Sequence, residues 1–187
     1  TKLSANAPPL ILLAQPRALA PAELVKLDAW VQQGGRVLIL ADPALQWGSL
    51  YSLGDKRRPL FTSLLSPLFS YWGVELVLPI TDEQPLAIRE VDTLTIRTQT
   101  PGEWQVKEGG GANLCVIAQN RLVADCKVGK GRALLVADAD LLDTAYWNGQ
   151  GVRALTGSDE FANMKWLEAL LLALRDGQKN AGDFVGK

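Results

Sequence analysis

Four aspartates stand just past two apolar runs. Val37-Leu38-Ile39-Leu40-Ala41 stops at Asp42-Pro43, and Ala133 to Ala137 (ALLVA) stops at Asp138-Ala139-Asp140, with Asp143 close behind. Hard cations such as Mg²⁺ take several converging carboxylate oxygens, so these residues could form a metal site. A pair of aspartates can also divide the work of general acid and base. Together these options describe a divalent-metal-dependent hydrolase. A plainer reading fits the same spacing. Asp is a favoured cap and turn residue, and Asp42 before Pro43 and Asp138 are placed as one.

Composition removes most other chemistry. None of the 187 residues is histidine. Ser-His-Asp and Cys-His catalysis, imidazole acid–base work and His-containing zinc sites are therefore excluded. The 2 cysteines are too few for a four-thiolate metal site. Neither Cys115 nor Cys126 lies in a strand-to-helix elbow, which argues against a cysteine nucleophile. Gly129-Lys130-Gly131 precedes a strand rather than a helix, so it lacks the helix N-terminus of a phosphate loop and reads as a hairpin or bulge turn. Gly109-Gly110-Gly111 reads as a flexible turn. We expect no catalytic residue, no resident metal and no cofactor.

The elements that must position these residues follow from pattern. Leu10-Ile11-Leu12-Leu13-Ala14, flanked by Pro8-Pro9 and Pro16, is a buried strand. Pro21 and Glu23 open a helix carrying Leu24, Leu27, Trp30 and Val31, and Gly34-Gly35 ends it. With the strand at 37–41, this is a parallel strand–helix–strand crossover. Residues 43–59 form a loop. A second helix covers 60–72, kinked or divided at Pro67, and residues 74–78 add a third strand. Residues 86–128 alternate and turn, as short antiparallel strands inserted at a sheet edge. Parallel α/β resumes at Gly131. Ser158-Asp159-Glu160 starts a last helix with Phe161, Met164, Leu167, Leu170, Leu171 and Leu174 on one stripe. The tail, 178–187, is polar and frayed or a linker. Residues 1–187 read as one α/β domain: a mostly parallel sheet flanked by helices, with a β-rich insertion.

A hairpin centred between Asn120 and Arg121 sets Cys115 opposite Cys126. They form a cross-strand disulfide in an oxidising compartment, or they are two small buried apolar residues. A two-residue turn would make them a hydrogen-bonded pair with Cα atoms about 5.5 Å apart, whereas a four-residue loop would make them the closer kind.

Of the 6 tryptophans, Trp30, Trp72 and Trp166 fall on predicted helices and belong to the core. Trp47, Trp104 and Trp147 fall in loops or at a strand edge. With Tyr51 and Tyr146 they are candidates for a partner surface. The net charge of -1 points to neither nucleic acid nor anionic lipid. Lys56-Arg57-Arg58 is a solvated loop, too short for a nucleic-acid footprint. No apolar run approaches the length of a membrane span. The opening Thr1-Lys2-Leu3-Ser4 suggests an excised or processed piece.

Residues 9–43 (PLILLAQPRALAPAELVKLDAWVQQGGRVLILADP) resemble the soluble domain of gliding-motility-type auxiliary proteins of ABC transporters, the "ABC-type uncharacterised transport system" family. Tyr71-Trp72-Gly73-Val74 resembles its YGV step. Residues 129–142 (GKGRALLVADADLL) resemble its G-x-GR–strand–D-x-D element, and Asn163 with Trp166-Leu167 resembles its C-terminal helix. The likeness covers both ends of the chain, and the middle matches poorly. It implies a flavodoxin-like, class I glutamine-amidotransferase-like fold without the catalytic triad, and hence a non-catalytic domain. It also implies a parent anchored in the bacterial inner membrane, this domain in the periplasm, and an ABC permease and ATPase as partners. An envelope protein or a small ligand would be met through the strand-end crevice at Asp42, Asp138, Asp140 and Asp143 and through the aromatic loops.

Overall fold

A computed structural model of the chain describes residues 10–80, 86–91, 93–108, 114–143 and 162–176. It opens as strand, helix, strand. β1 (Leu10–Ala14) leads to α1 (Pro21–Gln32) and β2 (Arg36–Leu40). Pro21 sits in the first helical turn, where no N–H is needed. The Ala20 N–H donates to the Glu23 carboxylate at 2.7 Å, and the Glu23 N–H donates back to the Ala20 carbonyl at 2.8 Å. This reciprocal pair satisfies donors that a helix start leaves open. β1 and β2 pair in parallel, with Leu12 opposite Leu38.

β2 also pairs in parallel with β9 (Gly131–Val136). β9 pairs antiparallel with β8 (Val123–Val128), which pairs antiparallel with β7 (Leu114–Ala118). The five strands lie in the order β1-β2-β9-β8-β7. The sheet is therefore mixed, and the expectation of a mostly parallel one needs two corrections. β3 (Val74–Val77), the expected third strand, does not join this sheet but pairs antiparallel with β6 (Glu103–Val106) outside it. Residues 86–128 are not one insertion. β4 (Leu86–Val91) and β5 (Leu94–Gln99) make a separate hairpin, whereas β7 and β8 extend the main sheet. Burial explains the difference. Val123, Ala124, Asp125 and Cys126 are consecutive and all buried. A strand covered on both faces belongs inside a sheet, not in a solvated flap.

Residues 119–122 connect β7 to β8, closed by the Leu122 N–H on the Gln119 carbonyl at 3.0 Å. This register sets Cys115 against Cys126, joined as a disulfide with Cα atoms 4.0 Å apart. The separation is that of the closer, non-hydrogen-bonded pair. Cross-linking residues 11 apart in sequence stabilises by about 3 kcal/mol in the chain-entropy account. Reductant is expected to lower the thermal midpoint by roughly 6–12 °C. An unchanged midpoint, with both thiols unreactive before reductant is added, would sink that account.

The second helix is shorter than its apolar pattern suggests. α2 runs Ser66–Trp72 with Pro67 in its first turn and Gly73 in the left-handed conformation at its end. Residues 60–63 are instead drawn into the strand-end loops. The Leu60 carbonyl accepts from the Gln15 side chain at 3.0 Å, and the Ser63 N–H donates to the Asp42 carbonyl at 2.8 Å. The last helix, α3, spans Asn163–Asp176. Asn163, Trp166, Leu167, Leu170, Ala173 and Leu174 are its buried face. Met164, expected on that stripe, is exposed, because three- and four-residue steps from Asn163 bypass it. Phe161 and the proposed start at Ser158 lie outside the described residues, as does the tail at 178–187.

The turn Gly129-Lys130 sits on the C-terminus of α1, where the Lys130 N–H donates to the Gln32 carbonyl at 2.9 Å. At Gly131 a Cβ would stand 2.0 Å from the Val31 carbonyl oxygen, so only glycine allows this approach. Arg36 and Arg132, in register on β2 and β9, both donate to carbonyls at the C-terminus of α3. Cations there offset the helix dipole. Trp104, expected at a partner surface, is fully buried, with its ring edge-on to Phe69 at 4.9 Å. It is a core residue, as Trp72 and Trp166 are.

Candidate functional site

The carboxyl ends of β2 and β9 are held side by side, the Ala41 N–H donating to the Val136 carbonyl at 2.9 Å. Asp42, Asp138 and Asp140 are thereby brought together, with one carboxylate oxygen of each within 4.8 Å of the others. All three are fully buried. Asp143 is half-buried and outside that trio, although its N–H donates to the Asp140 carbonyl at 2.7 Å.

Each carboxylate also ties two segments together. Asp42 accepts the Ala44 N–H at 2.7 Å and the Ala139 N–H at 3.0 Å. Asp138 accepts the Leu141 N–H at 2.9 Å and the Gln99 N–H at 3.1 Å. Asp140 accepts the Gln46 N–H on both oxygens at 3.0 Å. These are cap and turn contacts, made between loops as well as within them. They join β2, β9, β5 and a 3₁₀ turn, Asp140–Leu142.

Desolvation dominates the electrostatics. Burial pushes Asp42 from 3.8 up to about 6, against the N–H donors that lower it. Burial, then the charge of Asp42, pushes Asp140 up to about 7. Burial and the Asp42 charge hold Asp138 well above the ordinary carboxylate range. The trio therefore takes up protons at a higher pH than ordinary carboxylates do. Chemically it can store protons or, once ionised, hold a divalent cation. A general base needs access to its substrate, and none of the three carboxylates meets solvent.

Two side chains supporting this centre were not singled out as site residues. The Gln15 amide accepts the Asp42 N–H at 2.9 Å and donates to the Asp42 carbonyl at 3.2 Å. The Asn163 amide accepts the Arg97 N–H at 2.8 Å and donates to the Arg97 carbonyl at 2.9 Å and the Leu141 carbonyl at 3.2 Å. The available signal was a polar amide at the boundary of an apolar element: Gln15 before Pro16, and Asn163 at the head of the last stripe.

The aromatic candidates do not gather at this centre. Trp47 is half-buried and packs against the core. Tyr51 is exposed, with the Arg57 guanidinium 4.2 Å above its ring. Tyr146 and Trp147 lie outside the described residues.

Residues 2–83 match the family described as "ABC-type uncharacterized transport system". The matched span contains β1, α1, β2 and Asp42, and it supports the resemblance over that part of the chain. No curated protein matches. Among solved structures, an exo-beta-1,4-mannosidase from Opitutaceae bacterium strain TAV5 is 17% identical, with a TM-score of 0.52. The alignment covers 87% of this chain and 25% of that one, so the chain spans about a quarter of the enzyme's length. At that identity the likeness is one of fold alone. A beta-galactosidase from Bacillus circulans sp. alkalophilus is 14% identical over 78% of this chain and 23% of that one, with a TM-score of 0.39. A cytoplasmic protein from Salmonella typhimurium LT2 is 12% identical over 89% of this chain and 71% of that one, also with a TM-score of 0.39.

Proposed function

We propose that the chain is a non-catalytic interaction domain of an accessory protein of an ABC transport system, held outside the cytoplasm by an inner-membrane parent. The observation that carries this reading is the family match over residues 2–83. Two features support it. The buried carboxylates at the strand ends bind backbone N–H groups, which is scaffold work. The Cys115–Cys126 disulfide suits an oxidising compartment such as the periplasm. The partners are a permease and an ATPase of the same system. The contact face lies past the strand ends, with Trp47 and Tyr51 as its described aromatic candidates and Tyr146 and Trp147, outside the described residues, as the others.

The full-length protein, tagged in its own host and gently solubilised from membranes, is expected to copurify with a permease and an ATPase. Recovery in the soluble fraction without a transporter component would overturn the proposal. The proximity of Asp42, Asp138 and Asp140 favours one alternative, a divalent-metal-dependent hydrolase. That alternative requires a cation that binds the trio and raises the thermal midpoint.

A further inference from the structure

The loop between β2 and α2 carries large apolar side chains in water. Leu50 is 104% exposed, Leu53 87% and Phe61 66%. Single exposed leucines are ordinary, but a clustered set marks an interaction surface. Leu53 and Phe61 line one hollow of about 570 Å³ together with Arg17, Lys56 and Arg58. The loop is tied down rather than loose. The Leu45 N–H donates to the Phe61 carbonyl at 2.8 Å, the Arg58 N–H to the Asp55 carbonyl at 3.0 Å, and the Arg58 guanidinium to the Tyr51 carbonyl at 2.7 Å.

Charge is concentrated on the same face. Asp55 is its one acid, and Arg57 pairs with it at 2.8 Å. Arg17, Lys56 and Arg58 make no ion pair among the described residues. Three unneutralised cations thus surround exposed apolar side chains, in a chain whose net charge is -1. A complementary occupant is apolar in depth and anionic at its rim. A phospholipid surface has that layering, since apolar side chains pass the headgroups while Lys and Arg stay at the phosphates.

We propose that this face, formed by Arg17 and residues 50–61, docks on an anionic phospholipid surface, with Leu50, Leu53 and Phe61 entering the interface and Arg17, Lys56 and Arg58 meeting the phosphates. This goes beyond the transport reading and does not rest on it. The overall charge balance gave no hint of lipid. The fold supplies it by grouping the cations at one hollow.

The test is flotation of the chain with vesicles of phosphatidylcholine mixed with phosphatidylglycerol, compared with phosphatidylcholine alone. Binding is expected to the anionic vesicles only and to weaken as salt screens the phosphates. Lys56→Ala and Arg17→Ala should each reduce partitioning about fivefold. Leu50→Ser with Leu53→Ser should abolish flotation. These side chains are exposed, and an unchanged thermal midpoint would confirm folding of each variant. No binding to anionic vesicles would overturn the proposal, as would equal binding to neutral ones or indifference to the leucine pair. If glycerophosphate at matched phosphate concentration displaced the chain completely, the hollow would be a site for free phosphate and the lipid proposal would fail. Capture of an acidic peptide without vesicle binding would overturn it in favour of a protein partner.

Discussion

Raising the pH from about 4 to about 8 is expected to destabilise this chain, by about 3 kcal/mol from Asp42 alone. Its carboxyl sits at about 6 in the fold against 3.8 ordinarily. The sign follows from proton binding. Below the ordinary value both states are protonated and the pair costs nothing. Between the two values the folded state holds a proton that the unfolded chain has lost, so stability falls as pH rises. Above the folded value the loss is complete and the curve flattens. Asp140 extends the window to about 7, and Asp138 acts in the same direction. The contributions do not add, because the three groups repel one another and titrate together. From Asp42 alone, a midpoint lower by roughly 6–12 °C at the alkaline end is expected in thermal melts.

Asp140→Asn separates this account from a general acid optimum. It keeps an acceptor for the Gln46 N–H and removes one buried charge. The variant should match the parent near about pH 4 and exceed it at about pH 8. A parallel loss in both proteins would remove the trio as the cause. The same melts test the hydrolase alternative. A midpoint raised by millimolar Mg²⁺, Ca²⁺ or Mn²⁺ at alkaline pH, and not in Asp140→Asn, would assign a cation to the trio. No shift would count heavily against it, since binding to the folded state must stabilise it.

Arg132→Met is expected to cost about 3–5 kcal/mol, the range for breaking a buried ion pair from one side. The guanidinium grips both Asp125 oxygens, Nε at 2.8 Å and Nη2 at 2.6 Å. Neither partner is well exposed, at 16% and 7% of side-chain area. Removing Arg132 takes away the guanidinium that grips both oxygens of the Asp125 charge inside β8, and frees the α3 carbonyl that Nη1 meets. The midpoint should fall by roughly 10 °C. The double variant Asp125→Leu, Arg132→Met should lose much less, because no buried charge remains. A single-variant loss below about 1 kcal/mol would mean that water reaches Asp125, and the pair would rank with surface bridges.

Local pattern decided much of this molecule. The apolar runs 10–14, 37–41 and 133–137 read as strands because they are short, continuously apolar and bounded by proline, glycine or aspartate, too short for a buried helix. The Cys115–Cys126 pairing was legible for the same reason, since a hairpin's register follows from its centre. The Asp42 and Asp138 positions were legible as strand ends. Other features depended on contacts that pattern does not encode. Val74–Val77 could have joined the main sheet, and only its pairing with Glu103–Val106 shows that it did not. Trp104 read as a surface aromatic until Phe69 met its ring. Gln15 looks unremarkable in sequence, and Asn163 carried only a family likeness with no role attached. Gln15 bonds to a residue 27 positions away, and Asn163 to residues 22 and 66 positions away.

By itself the sequence determined the strand–helix–strand opening, the exclusion of histidine chemistry and the hairpin that pairs the cysteines, because each depends on composition or on neighbours a few residues apart. Only the tertiary structure decided that the sheet is mixed, that three carboxylates are buried as cross-links between strand ends, and that Arg17 shares a hollow with Lys56 and Arg58. Each of those depends on which distant surfaces exclude water from one another, and burial by residues remote in the chain leaves no local spacing to read.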